Sequence, residues 1–170
     1  MNRVITTPAV LPSAALAELK QWLGITVSSD DALLARVFAA ALETCESFTG
    51  TMPLSQECEE VLPGHPYWQT LAARPVQAIT KIERLMDGER VALPSNAFAV
   101  ELSADGTGAI RLLASQPDRV LVTFAAGLTT DWASLPDGLR HGIVRLAAHQ
   151  HREREGAGAA PLPPASVAAL

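Results

Sequence analysis

Three histidines near the end of the chain, His141, His149 and His151, are the first residues to weigh for chemistry. Chelation from a helix needs donors three or four residues apart on one face. His149 and His151 are two apart and point to nearly opposite sides, while His141 and His149 are eight apart and two turns distant, so the spacing argues against a metal site. Cys45 and Cys58 are the only cysteines. Neither sits in a catalytic context, no G-x-S-x-G elbow is present, and Cys45 lies on an apolar stripe that reads as core. The acids Glu57, Glu59 and Glu60 crowd one run, but adjacent strand positions alternate faces, so they do not form an acid-base pair. Gly106 and Gly108 lack the Lys and the following helix of a phosphate loop. These residues imply a protein that is not an enzyme and needs no cofactor and no metal.

The elements around these residues follow from the spacing of apolar positions. Pro8 and Pro12 make residues 1–12 an extended N-terminal arm. Ser13 opens a helix over Leu16, Leu19 and Leu23 that Gly24 ends, giving a helix over 13–24. Ser28, three residues before Asp31, reads as a capping-box start for a second helix over 29–49 that stops at Gly50. Leu34, Phe38, Ala41, Cys45 and Phe48 fall on one stripe of that helix, the face to be buried. The period then changes to alternation, and 55–127 is expected to be an antiparallel β-meander. Its first run, Ser55 to Leu62, reads as an edge strand because of its acids. The loop at 63–70 carries Tyr67 and Trp68 as aromatic anchors, Val76 to Leu85 makes a strand, and Asp87-Gly88 makes a hairpin turn. Val120 to Ala125 is apolar on both faces and should be a central strand. Pro136 suits the first turn of a last helix over 136–154, with Arg140, Arg145 and Arg152 on its wet face.

The expected fold class is therefore α+β. An N-terminal helix pair and a C-terminal helix pack around a small antiparallel β-sheet, with flexible arms at both ends. Residues 13–155 form the body, and 156–170 form a flexible C-terminal segment rich in Gly, Ala and Pro that ends in a short apolar piece. With 170 residues, 48% of them hydrophobic, the chain can bury a core. A net charge of -5 excludes a protein that grips nucleic acid by its phosphates. No apolar run reaches the length of a signal peptide or a membrane span, so the expected partners do not include a membrane.

Several ordered motifs resemble one family. L-x-x-L-K-x-x-L at Leu16 to Leu23, D-D-x-L-L at Asp30 to Leu34 and E-x-F-T-G at Glu46 to Gly50 are followed by R-P-V-Q-A-I-T-K-I at Arg74 to Ile82. V-L-V-T-F-A-A-G at Val120 to Gly127 and L-P-D-G-L-R-H-G-I-V-R-L-A-A-H at Leu135 to His149 complete the set. Together they resemble the phage head-tail connector (adaptor, head completion) family of long-tailed phages and gene transfer agents. The resemblance implies a ring adaptor of twelve subunits beneath the portal protein, extending the DNA channel to the stopper and tail. It implies a virion protein of the head-tail interface, present in the host cytoplasm during assembly, whose DNA passes without specific binding.

In such relatives the C-terminal segment docks on the portal, which makes Leu162, Val167 and Leu170 the docking candidates here. Relatives continue with an aromatic and basic stretch beyond the position of Leu170, so this docking end is expected to be shortened. Within a ring, Glu57, Glu59, Glu60 and Glu101 are candidates to face the channel, where acid repels phosphate and lowers friction. Ala35, Ala39 and Ala40 on the second helix are candidates for the contact between subunits, and the subunit alone is expected to be a monomer. The alternative reading is a nucleic-acid-associated phage accessory factor without enzymatic activity, resting on Arg140, Arg145 and Arg152.

Overall fold

Strand β8, Arg119–Ala126, is buried along nearly its whole length, and its partners define the sheet around it. The structure is a computed structural model that describes residues 3–7, 11–86, 89–114 and 119–155. Around β8 lie β1 (Arg3–Thr7), β2 (Gln56–Leu62), β4 (Val76–Met86) and β5 (Glu89–Ala92), in the order β1-β2-β8-β4-β5. All pairings in this five-stranded sheet are antiparallel. A second sheet of three strands, β3 (Gln69–Thr70), β7 (Gly108–Leu112) and β6 (Phe98–Leu102), runs in the order β3-β7-β6. With α1 (Ser13–Leu23), α2 (Asp31–Thr49) and α3 (Asp137–Glu155), the fold is α+β, as the period change along the sequence implies.

The chain divides into two compact units, Met1–Ala9 with Leu54–Leu128, and Val10–Pro53 with Thr129–Leu170. In the strand unit, a simple meander does not form. A strand apolar on both faces must have neighbours on both edges and cover on both sides, so β8 is inserted between β2 and β4. Cys58, Phe124 and Ile79 line up across three strands on one face, as do Glu60, Val122 and Ile82. Two expectations change with this topology. β2 is not an edge strand, because Arg3–Thr7 pairs along its free side as β1, and that part of the N-terminal arm is sheet. Gly127 ends β8 at φ +139, and a Cβ there would stand 2.4 Å from Ser55 Cα, so only glycine allows the two backbones to approach.

In the helical unit, α2 buries Leu34, Phe38, Ala41 and Cys45 as expected, each large side chain contributing about 1.5–3 kcal/mol. Phe48, assigned to the same stripe, is 63% exposed, since it lies in the last turn before Gly50. The capping box at Ser28 does not form, and α2 starts at Asp31 with no side-chain cap. The Asp31 carboxylate is drawn instead to Lys20 Nζ at 2.6 Å, joining α1 to α2. Gly50 closes α2 in the left-handed region at φ +68, its N–H donating to the Glu46 carbonyl at 2.8 Å. Trp132 is the buried hinge of this unit. Its ring packs edge-on against Phe38 with centroids 5.1 Å apart, and its indole N–H donates to Glu18 Oε2 at 2.9 Å. Along α3, Ile143, Val144, Leu146, Ala147 and Ala148 are buried.

Candidate functional site

Strand alternation places Glu57, Glu59 and Val61 of β2 on one face of the large sheet, with Leu121, Thr123 and Ala125 of β8 and Lys81 and Glu83 of β4. Arg90, on β5, makes a two-pronged bond to Glu59 at 2.7 and 3.2 Å. Leu121, Thr123 and Glu83 are all buried on this face. The Glu59 carboxylate in turn holds the Arg90 guanidinium more firmly protonated than usual. Glu83, 4% exposed, pairs with Lys81 at 2.7 Å, a partner two residues away on the same face that the strand period alone could have revealed.

The four acids proposed for a channel thus have different surroundings. Glu57 is exposed and accepts from the Thr7 hydroxyl at 3.2 Å. Glu59 is committed to Arg90. Glu60 is 7% exposed, and its carboxylate accepts the Ala72 N–H at 2.9 Å, so it serves the fold. Glu101 is exposed on β6. Ala39 and Ala40 are exposed and Ala35 is half-buried on α2. Leu162, Val167 and Leu170 lie outside the described residues.

Tyr67 and Trp68, read as anchors, are both exposed. Their loop is nevertheless held: Gln69 Nε2 donates to the Pro63 carbonyl at 3.0 Å, and the Arg111 guanidinium lies over the Trp68 ring at 5.1 Å. In the sequence Arg111 carries no signal for this contact, because the pairing of β3 with β7 brings it there across some forty residues.

The remaining chemistry-bearing residues are dispersed. His141 packs edge-on against Trp22 with centroids 5.1 Å apart, His149 faces Glu153 at 3.4 Å one turn on, and His151 is buried. Among the described residues no three His, Cys, Asp or Glu side chains stand together as metal ligands would. Both cysteines are buried, and burial pushes the Cys45 thiol up, away from the reactive thiolate. Asp105 is a turn acid whose carboxyl is held below its usual range by the Thr107 N–H and hydroxyl, each at 2.9 Å. A shallow, open groove of about 540 Å³ between α1 and the start of α2 is lined by Leu16, Ala17, Ile25, Lys20 and Asp31, its charges already paired with each other. Among the described residues no helix is long and apolar enough to cross a membrane.

Among the described residues no arrangement concentrates acid, base and nucleophile. Residues 13–82, from the first residue of α1 into β4, match the family described as phage gp6-like head-tail connector protein. Among solved structures, a chain in the neck of an empty gene transfer agent (GTA) particle, computed with C6 symmetry, matches with a TM-score of 0.77 and 25% identity, covering 98% of this chain and 91% of that one. A chain of the virion of a native GTA particle matches with a TM-score of 0.71 and 26% identity over 96% and 90% of the two chains. A third, from the neck of a native GTA particle computed with C12 symmetry, has a TM-score of 0.67 and 25% identity over 94% and 88%. No curated protein matches the sequence. The ordered motifs, the family match over 13–82 and the fold shared over nearly the whole length agree, and together they show that the chain is similar to phage head-tail connector proteins.

Proposed function

We propose that the protein is a structural adaptor of the virion neck. It assembles as a ring beneath the portal of a phage or phage-like particle and extends the DNA channel to the stopper and tail. The observation that carries this reading is the fold shared with a neck chain over 98% of the present sequence. The symmetric necks of the relatives support a ring, and the C12 neck supports twelve copies. The role is positional, without catalysis: the chain is made in the host cytoplasm and takes its place at the head-tail interface.

Within that ring Glu57 is the acid left to face the lumen, Glu59 being paired, Glu60 buried and Glu101 standing on the outer strand β6. Like-charge repulsion there keeps phosphates moving instead of holding them. Ala35, Ala39 and Ala40 permit close approach of a neighbouring subunit, and Leu162, Val167 and Leu170 dock on the portal. The subunit alone is a monomer, because small contacts repeated around a ring gain from a template already in place.

Electron microscopy of the purified chain mixed with its cognate portal tests the proposal. A ring of added density below the portal is expected, and a portal left bare at saturating protein overturns it. Tight, salt-sensitive binding of DNA by the isolated chain would overturn the lumen assignment. Deleting Pro161–Leu170 should abolish co-sedimentation with portal and leave the circular dichroism spectrum unchanged.

A further inference from the structure

We propose that the two opposite edges of the β3-β7-β6 sheet are the contact between neighbouring copies of this chain, the aromatic loop at the β3 edge of one copy seating against the β6 edge of the next. The inference rests on the ring reading and specifies the surface that builds it.

The two edges carry complementary features. On β6, Val100 and Leu102 are 41% and 48% exposed, although their cross-strand partners Ile110 and Gly108 on the same face are buried. The buried face of the small sheet is therefore left open at this margin, and among the described residues β6 pairs only with β7, so its outer backbone edge is open to another chain. At the other edge Tyr67 is 72% and Trp68 45% exposed. Exposed aromatics beside an Arg are the side chains most often found as interface anchors. Their loop is already ordered by Gln69 and by Arg111, so little freedom is lost on docking.

Charge points the same way. Arg111 leans toward the β3 edge over Trp68, and Glu101 stands exposed on β6, so the edges that would meet carry opposite signs. A contact joining two different edges of one sheet is heterologous. It leaves each copy with one edge free for the next, and such a contact repeats until the ring closes.

The test uses particles assembled with the full-length chain carrying Tyr67→Cys and Leu102→Cys. Two strand spacings, about 10 Å, separate these positions within one copy, too far for a disulfide inside it. The native Cys45 and Cys58 are buried and do not compete. After mild oxidation a series of covalent oligomers is expected on a non-reducing gel, and neither single variant should give species beyond a dimer. Multiple copies per particle with no such series overturns this contact and leaves the ring standing, whereas one copy per particle overturns the ring itself. If the double-cysteine chain is not incorporated, the charge pair decides. Glu101→Arg and Arg111→Glu should each lower incorporation about tenfold, and the two together should restore most of it. Failure of the combined variant to recover overturns the proposal.

Discussion

The two units of this protein hold their centres by different means. In the helical unit the centre is Trp132, clamped by Phe38 of α2 and Glu18 of α1, while Arg140 of α3 approaches the same Glu18 carboxylate at 3.7 Å. Each partner sits on a helix whose period and stop are written in its own stretch of sequence. In the strand unit the centre is β8, whose neighbours β2 and β4 come from far earlier in the chain. An arginine of the outer strand β5 is paired with a glutamate of β2. The helical centre thus joins helices that are each locally specified. The strand centre depends on long-range pairing of the strands themselves, and substitutions should separate the two.

The largest effect is expected in the helical unit. Phe38→Ala removes a wholly buried ring and its edge-on contact with Trp132, and should cost about 3–5 kcal/mol in urea unfolding. A loss below about 1 kcal/mol would mean that the surrounding helices collapse into the space, and would remove Trp132 as the centre of the unit. Next comes the strand unit. Glu60→Ala strips the Ala72 N–H of its acceptor and should cost about 1–3 kcal/mol, with Glu60→Gln, which keeps an acceptor oxygen, costing less. If both variants unfold like the parent, Glu60 has no structural task and returns to the candidates for the lumen.

The same contrast explains what could be read from the sequence. Leu34, Phe38, Ala41 and Cys45 were legible because helical period is a local property, and so was the double burial of β8, which needs only a run apolar on both faces. The start of α2 was misjudged because Asp31 answers to Lys20 on another helix. The order β1-β2-β8-β4-β5 was not legible as a meander, since insertion of β8 depends on which edges are free once all strands exist. Of the candidate acids, the sequence shows four similar carboxylates. Only the folded chain, which brings Arg90 to Glu59 and the Ala72 N–H to Glu60, sorts them into paired, buried and exposed.

A smaller effect tests the local specification of the helical unit. Gly50→Ala meets no atom within 4 Å, so its cost is that of the positive φ alone, about 1 kcal/mol. The thermal midpoint should fall slightly with helix content unchanged. A larger loss would mean that the end of α2 is held by more than its own chain.

The smallest effect belongs to the Asp105 turn of the strand unit and depends on pH. Its carboxylate accepts from the Thr107 N–H and hydroxyl, and these bonds favour the charged form, so the folded pKa lies below the unfolded value of about 3.9. The sign follows from linkage. At neutral pH the folded chain keeps the full benefit, and the benefit is lost as pH falls through the folded pKa, where the carboxylate gains its proton. Asp105→Ala should therefore lower the thermal midpoint slightly at pH 7, and the gap between variant and parent should close in acid as pH falls through the folded pKa. A gap that stays constant across that range would mean the turn is held by backbone geometry alone, with Gly106 at φ +80 sufficient to make it without the carboxylate.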